Sequence, residues 1–225
     1  MDWTALGVSV RLSLATMAVL VVAGVPIAYW VAFTTRRWKF LVEAVVALPL
    51  VLPPTVLGFY ILVSIGATSP VGRVVTALGG PTLPFTFQGL LVASVLYSLP
   101  FAVQPFSAAF ASVDRRLIEA SWSLGVSRAS TFRRIVLPLS VRGIVTGMVL
   151  SFAHTLGEFG VVLMVGGNIP GTTRTISVSI YDSVQALDYQ AAWQTSIVLL
   201  VVSFVILSIT YALQRSVWAV WPMSS

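Results

Sequence analysis

Few residues of this 225-residue sequence could do chemistry, and they do not form a catalytic arrangement. The sequence holds one histidine, no cysteine and seven carboxylates scattered along the chain. His154 precedes Glu158 by four residues, so the two share a helix face and could form half of a metal site. No third ligand accompanies them, and a packing histidine is the better interpretation. The sequence therefore predicts neither a catalytic site nor a metal centre, and no cofactor.

Glu158 is the most unusual carboxylate because it lies inside a hydrophobic run. An ionisable residue in such a run is a functional candidate by default. Counted from Val141 at ~1.5 Å per residue, it would lie about 25 Å along its helix, near the outer end of a ~30 Å hydrocarbon core. We expect a structural lock in which Glu158 pairs with Arg174 or with backbone donors at an outer gate. A proton-carrying or substrate-binding role is the alternative.

A polar, basic stretch separates the third hydrophobic run from the fourth, and its residue types predict two short helices. Asp114 can cap a helix that begins near Arg115, and Gly125 can end it. Ser127 can cap a second helix that runs to about Arg134.

These two helices have two possible roles. As a compact amphipathic unit, they could dock in the groove of a partner protein. Alternatively, the first helix could rest on the membrane surface with Trp122 as an interfacial anchor. In either case Pro138 would mark the start of the next hydrophobic segment.

The composition indicates that these elements are positioned by a membrane domain. Apolar residues make up 57% of the sequence and charged residues 9%, and the mean hydropathy is +0.96. Too little charge remains to solvate a globular surface, so the surface must face lipid. The net charge of +6 does not indicate nucleic-acid binding, because the basic residues lie in loops between hydrophobic runs.

Five runs are long enough to cross a hydrocarbon core that needs about 20 residues. The predicted fold is therefore an all-α integral membrane domain over residues 8–213, with a polar loop at 114–140 and a short tail at 214–225. The predicted spans are Leu12–Phe33, Phe40–Ile65, Leu90–Phe110, Val141–Val165 and Trp193–Leu213.

The basic residues of the loops predict the orientation. Ten of them fall on the side that carries the 114–140 loop, and three fall on the other side. The positive-inside rule places the ten in the cytoplasm. The N-terminus is then outside and the C-terminus inside.

The second run contains the proline-rich stretch LPLVLPPTVLG, residues 48–58, in which Pro53 and Pro54 are adjacent. Each proline removes a backbone donor and bends its helix. Either these prolines only kink the helix for packing, or they break it where it lines a pathway that opens and closes. On the outer side, residues 166–189 are too polar to span, and ISVSIYDSV within them predicts a short helix.

The polar loop resembles the cytoplasmic signature of binding-protein-dependent ABC importer permeases. That signature reads Glu-Ala-Ala, three residues, Gly, nine residues, Ile, one residue, Leu-Pro. The sequence matches at every position except one, where serine replaces the second alanine. The matching residues are Glu119, Ala120, Ser121, Gly125, Ile135, Leu137 and Pro138.

This resemblance, which extends from about Leu12 to Leu213, implies the type I importer fold and a set of partners. In that family the segment forms coupling helices that sit in a cleft of a separate ATPase subunit, and we therefore call residues 114–140 the coupling segment. The family pattern also implies a second copy of the chain, two copies of the ATPase and an extracytoplasmic oxyanion-binding protein. The sequence contains no GxxxxGK[ST] phosphate loop of its own. Leu124 and Arg128 join the seven signature residues as expected coupling contacts.

Within the family, the sequence looks most similar to molybdate permeases of the cell inner membrane, with tungstate as a second expected substrate. The resemblance lies in the proline-rich stretch and in LGEFG combined with GNIPGTTRTISVSIYD. Sulfate and thiosulfate permeases share part of this pattern and are the alternative. A self-sufficient oxyanion channel or secondary carrier is the alternative from another class. The expected gate residues are Pro53, Pro54, Glu158, Phe159 and Arg174.

Overall fold

The computed structural model describes residues 2–215, and within that range the chain forms eleven α-helices and no strand. The predicted all-α fold is therefore confirmed. Residues 216–225 of the predicted tail lie outside the described part of the chain. The helices are α1 Trp3–Phe33, α2 Lys39–Val51, α3 Pro54–Ile65, α4 Pro70–Ala77, α5 Phe87–Ala111, α6 Arg115–Ser123, α7 Arg128–Thr131, α8 Leu137–Leu156, α9 Gly160–Gly166, α10 Ile176–Gln185 and α11 Tyr189–Arg215.

Four helical segments of the described chain are long and apolar enough to cross a membrane, and a bent pair of shorter helices makes a possible fifth span. The bent pair is α2 and α3, which meet at an angle of 116°. The five predicted spans thus correspond to four continuous helices and one broken one. The continuous segments are Trp3–Phe33, Phe87–Ala111, Arg128–Leu156 and Tyr189–Ala212.

Two of the predicted spans, the first and the fourth, differ most from the structure. The first span begins at Trp3, where Asp2 caps it by accepting a hydrogen bond from the Ala5 amide at 2.9 Å, rather than at Leu12. The fourth span was placed too late in the sequence. Its helical segment begins at Arg128 and ends at Leu156, because the helix of the polar loop runs into it without a break.

The centre of the domain is α5, which packs against both α1 and α8. Phe106 of α5 is fully buried. A Cβ added to Gly24 of α1 would lie 3.4 Å from the Phe106 ring, and one added to Gly147 of α8 would lie 2.5 Å from it. Lipid provides no hydrophobic drive for helices to associate, so close approach at small residues is a main source of their packing energy. The GxxxG of Gly143 and Gly147 therefore serves contact with α5 of the same chain.

The break in the second span lies at Leu52 and Pro53. The amide of Leu52 still bonds to the carbonyl of Leu48, and Pro54 then occupies the first position of α3. Proline is favoured at a first helical position because the amide it lacks would have no partner there. The two adjacent prolines thus end one helix and begin the next, so the interpretation as a broken helix is confirmed.

Two short helices lie in the loops at the end of the domain where α1 begins. The predicted ISVSIYDSV helix is confirmed as α10, and Ile176 and Val178 are buried in it. The structure adds α4, which the sequence does not predict. Ser69 caps it by accepting a hydrogen bond from the Gly72 amide at 2.9 Å. Its amphipathic pattern is only eight residues long, too short to stand out against the neighbouring hydrophobic runs.

Replacing Gly147 with valine should destabilise the domain. The new side chain would collide with the Phe106 ring and with the Ala102 carbonyl oxygen, which lies 2.9 Å from the Cβ position. Overpacking of this kind costs about 1–3 kcal/mol, so the midpoint of thermal unfolding in detergent should fall. Gly7→Val is the matched control, because nothing lies within 4 Å of a Cβ at Gly7. Equal midpoints for the two variants would contradict the packing described here.

Candidate functional site

The coupling segment begins with the predicted helix–turn–helix. Asp114 accepts a hydrogen bond from the Arg116 amide at 2.9 Å and so caps α6. Gly125 ends the helix with a φ of +77°, a left-handed conformation that glycine adopts without steric cost. The Val126 amide then bonds back to the Ser121 carbonyl at 3.1 Å, which is the helix-ending pattern expected of such a glycine. The predicted caps and turn are confirmed.

A buried hydrogen bond joins the two short helices of this segment. The Ser121 and Thr131 hydroxyl oxygens lie 2.8 Å apart, and both residues are buried. Ser121 is the one departure from the family signature, where alanine is expected. The serine therefore links α6 to α7 through its hydroxyl, a group that alanine lacks.

The second short helix continues into the membrane through a π-helical turn. Residues Phe132–Val136 form this turn, and the Leu137 amide bonds to the Phe132 carbonyl five residues earlier. Pro138 follows directly and has no amide to offer the Arg134 carbonyl, which is a physical reason for the register change. Pro138 therefore does not separate the loop from the span, as the sequence analysis expected, and lies within a continuous helical path.

Aromatic side chains pack this helical segment against the hydrophobic core of the membrane domain. The Phe132 ring lies 5.0 Å from the Tyr29 ring of α1 and 6.0 Å from the Phe110 ring of α5, measured between centroids. Ile118 of α6 is buried in the same hydrophobic cluster. The helix–turn–helix is therefore anchored to α1, α5 and α8 at once. A displacement of the segment would be transmitted to all three.

The opposite face of α6 is exposed and partly apolar. Leu124 is 83% exposed and Leu117 48% exposed, beside Arg116 and Ala120. These four residues, which we call the docking face, point away from the buried Ile118. Apolar side chains exposed on a short, well-anchored helix are typical of a surface that another protein covers.

The signature residues take different positions on this unit. Glu119 and Arg128 are exposed beside the docking face, and the Arg128 guanidinium lies 5.4 Å from the centroid of the Trp122 ring. Ile135 and Leu137 are half-buried on the path into α8, and Pro138 is exposed. The expected coupling residues thus share one continuous unit, but they do not form a single patch.

The expected gate residues fall into two groups in the structure. The first group lies where two breaks between helices come together, one of them at Leu52 and Pro53. A second interruption at residues 157–159 separates α8 from α9, and the hydropathy pattern did not reveal it. A Cβ added to Gly160 would lie 2.8 Å from the Pro54 Cβ, so the two breaks touch. Phe159 directly precedes α9, and its ring centroid lies 5.0 Å from that of Tyr181.

Glu158 lies in the second break, and the pairing predicted for it is wrong. Its side chain is buried, and neither carboxyl oxygen has a hydrogen-bond partner among the described residues. The Ser94 hydroxyl of α5 is likewise buried without a hydrogen-bond partner among the described residues. Both forms of the expected lock, an ion pair with Arg174 and bonds to backbone donors, are absent from residues 2–215.

Arg174 instead ties the outer loop to the start of α1. Its Nη2 lies 2.9 Å from Oδ2 of Asp182, and its Nε lies 3.5 Å from Oδ2 of Asp2. The Asn168 amide donates to Asp182 at 2.6 Å, and the Ile176 amide donates to the Ser9 hydroxyl at 2.8 Å. The sequence does not predict Asp2 as a partner, because it lies 172 positions before Arg174 and meets it only in the folded chain. Asp182 lies only eight positions after Arg174, within the ISVSIYDSV helix.

His154 is a packing residue, as the sequence analysis preferred. Its Nδ1 lies 3.0 Å from the Ser98 hydroxyl, and its ring stacks on Phe101 at a centroid distance of 3.9 Å. Among the described residues, no group of three His, Cys, Asp or Glu side chains is placed to hold a metal ion.

The sequence is similar to those of known transport proteins. Residues 24–219 match the family described as the binding-protein-dependent transport system inner membrane component. The chain is 50% identical over 215 residues, covering 95% of both chains, to the molybdenum transport system permease protein ModB of Azotobacter vinelandii. It is 36% identical over 184 residues, 82% of this chain and 80% of the other, to ModB of Escherichia coli K12. A probable sulfate transport system permease protein cysT of Prototheca wickerhamii is 33% identical over 183 residues, 80% of this chain and 71% of the other.

Solved structures with the same fold are more distant in sequence. The inward-facing MetNI methionine ABC transporter aligns with a TM-score of 0.76 at 15% identity and covers 96% of both chains. A bacterial ABC transporter involved in the import of the acidic polysaccharide alginate aligns with a TM-score of 0.69 at 19% identity, over 93% of this chain and 78% of the other.

Removing either partner of the Ser121–Thr131 hydrogen bond should have unequal effects. In Ser121→Ala, the Thr131 hydroxyl keeps its bond to the Ser127 carbonyl at 3.1 Å, so the loss should be about 0.5–1.5 kcal/mol. In Thr131→Val, the buried Ser121 hydroxyl loses its partner, which costs about 1–3 kcal/mol. Hydrogen exchange at the amides of residues 115–131 should therefore rise more in Thr131→Val.

The double variant provides the control for this prediction. With both hydroxyls removed, no polar group is left unpaired, so Ser121→Ala in the Thr131→Val background should restore part of the protection. Faster exchange in Ser121→Ala than in Thr131→Val, or no recovery in the double variant, would contradict the hydrogen-bond account.

Proposed function

This chain belongs to the family of binding-protein-dependent transport system inner membrane components, and from that premise we propose how it works as the permease subunit of an ATP-driven molybdate importer. The observation that supports molybdate as the substrate is the 50% identity, over 95% of both chains, to a molybdenum permease. The chain is a multi-pass protein of the inner membrane, and molybdate is the oxyanion it moves into the cytoplasm. Tungstate has the same charge and tetrahedral shape, so we expect it to use the same route.

The energy must come from a partner, because the chain is a transport subunit without a phosphate loop. We propose that two copies of an ATPase subunit bind the docking faces of two copies of this chain. The exposed Leu117 and Leu124 supply apolar contact, and Glu119 and Arg128 supply charge at its edge. An extracytoplasmic binding protein would deliver the oxyanion to the opposite end of the domain.

The orientation follows from the loop charges. Ten basic residues lie on the side of the coupling segment, and three lie on the side of Arg174. The coupling segment and the Asp2–Arg174–Asp182 cluster lie at opposite ends of the long helix α1. With the coupling segment in the cytoplasm, the ATPase and the binding protein meet opposite ends of the same helices.

The proposed cycle uses the continuity of the coupling segment with α8. When ATP closes the two ATPase subunits, their clefts draw the two coupling segments together. Because Phe132 packs on α1 and α5 and the helical path runs into α8, the three helices move with the segment. Hydrolysis then resets the arrangement, which is alternating access driven by a partner.

The proposed outer gate lies where the two helix breaks touch, at Pro53, Pro54, Glu158 and Phe159. Interrupted helices that meet inside a membrane domain are a recurring feature of transport sites, since irregular backbone is tolerated there only inside protein or along a cavity. Arg174 would act beside the gate by holding the outer loop to α1 and α10.

Sulfate is the second candidate substrate, because a probable sulfate permease is 33% identical over 80% of this chain. Molybdate is favoured by the higher identity of the molybdenum permeases over a larger share of both chains.

ATP hydrolysis by the reconstituted transporter tests this function. With chain and ATPase in vesicles, binding protein loaded with molybdate should stimulate hydrolysis, and Glu119→Lys should reduce the stimulation by roughly tenfold or more, since a reversed charge at an interface opposes association. Glu43→Lys makes the same charge change at an exposed site outside the coupling segment and should keep the stimulation.

Two results would overturn parts of this proposal. Stimulation by the sulfate-loaded binding protein alone would support the mechanism but show that sulfate, not molybdate, is the substrate. Unchanged stimulation in Glu119→Lys and in Gly125→Asp, which strains a left-handed turn, would show that the segment does not couple the ATPase.

Glu158→Gln should leave assembly and transport intact. The amide has the size of the carboxyl, and the substitution removes no ion pair or hydrogen bond of the described structure. Glu158→Lys places an unpaired charge in the same buried site, which costs several kcal/mol, so the amount of assembled protein should fall. Oxyanion uptake and size-exclusion profiles measure both effects. Loss of transport in well-assembled Glu158→Gln would show that the acid itself is required.

A further inference from the structure

A cavity of about 710 Å³ separates the coupling segment from the end of α1. Its volume falls within the roughly 300–1,000 Å³ range typical of ligand pockets. The side chains that line it change in character from one end to the other. Val25, Pro26 and Phe33 form an apolar wall on α1, whereas Arg115 and Arg128 line the cavity on the coupling segment.

The apolar wall reaches into the hydrocarbon layer. Val25 lies eight residues before Phe33, the last residue of α1, which is about 12 Å of helix at ~1.5 Å per residue. A soluble protein that docks at the membrane surface would not extend to this depth. The occupant that fits is a molecule with a long apolar part.

The other end of the cavity carries side chains that are typical of the level of the lipid headgroups. Trp30 and Trp122 line it, and the Trp30 ring lies 4.8 Å from that of Trp38 between centroids. Tryptophan is enriched at this depth because its ring is apolar and its N–H is polar. The arginines therefore lie where the phosphate of a lipid would be.

The two arginines lack a neutralising partner. Neither Arg115 nor Arg128 forms an ion pair among residues 2–215, although Glu119 also lines the cavity. The Arg128 guanidinium instead lies over the face of the Trp122 ring, 5.4 Å from its centroid. Two guanidinium groups against one carboxylate leave a net positive charge, and guanidinium binds phosphate oxygens through paired hydrogen bonds.

We propose that this cavity binds one anionic phospholipid, with its phosphate at Arg115 and Arg128 and an acyl chain along α1 between Val25 and Phe33. In the orientation proposed above, the lipid comes from the cytoplasmic leaflet, where anionic lipids attract basic segments. It lies on the neighbouring face of α6, which carries Arg115, Glu119 and Trp122. A bound lipid would thus brace the coupling segment against α1 while leaving Leu117 and Leu124 free for a protein partner.

Native mass spectrometry of the purified permease tests the proposal without ATPase, molybdate or binding protein, so its failure is separate from a failure of the transport function. The protein is titrated with phosphatidylglycerol and with phosphatidylcholine of the same acyl chains. Phosphatidylglycerol should bind more tightly. The double variant Arg115→Gln, Arg128→Gln should weaken its binding by roughly tenfold or more, because each arginine supplies charge-assisted hydrogen bonds.

Arg133→Gln, Arg134→Gln is the matched control. It removes the same charge from the same segment, but both residues are exposed and neither lines the cavity. It should leave phosphatidylglycerol binding within about twofold, as is usual for independent sites. An equal loss in both double variants would mean a general charge effect and would overturn the proposal.

A single substitution keeps the test valid if the double variant does not fold. Arg115 is exposed at the first position of α6, where a carboxylate favours the helix, so Arg115→Glu should fold and should still lose phosphatidylglycerol binding. Unchanged lipid binding in Arg115→Glu would overturn the proposal.

Discussion

Phe106 fills the space between the glycines of two neighbouring helices, and the arrangement of the membrane domain depends on this contact. Its ring lies against Gly24 of α1 on one side and Gly147 of α8 on the other. Because lipid tails are as apolar as the helices, close approach at small residues contributes where hydrophobic burial cannot. A bulky residue in place of either glycine would separate α5 from its neighbour, and α2, α3, α9, α10 and α11 all contact these three helices.

The coupling segment is also attached to these three helices, and its position explains how a small polar unit can act on a large apolar one. Phe132 packs on Tyr29 and Phe110, which belong to the same buried cluster as Phe106. Interiors packed at this density transmit displacement rather than absorb it. The π-helical turn keeps the backbone hydrogen-bonded where Pro138 would otherwise interrupt it. A force on the docking face therefore reaches α1, α5 and α8 without passing through a flexible linker.

The sequence predicted the features that depend on local chemistry and missed those that depend on distant contacts. Asp114, Gly125 and Ser127 act through backbone groups two to four residues away, so their caps and turn were predictable. The adjacent Pro53 and Pro54 indicated an irregularity for the same reason but left a kink and a break as alternatives, and the structure shows a break. The break at 157–159 was not predicted, since no proline marks it and apolar residues follow on its far side. The ion pair of Arg174 with Asp2 could not be found either, because these two residues are 172 positions apart and meet only once α10 packs near the start of α1.

The two helix breaks lie outside the core that Phe106 organises, and this separation suits the proposed gate. Helix α3 packs mainly against α9, and the contact is close because Gly58 faces Val161 and Met164 while Gly160 faces Pro54. Two short helices that pack on each other in this way can shift together along α5, whereas a bend within α1 or α8 would disturb the contacts of Phe106. In the proposed gate, an opening motion that begins at the breaks would therefore cost less than one that repacks the core. The outer cluster around Arg174 holds the start of α10 to α1, and it would keep these helices fixed beside the proposed gate while α3 and α9 move.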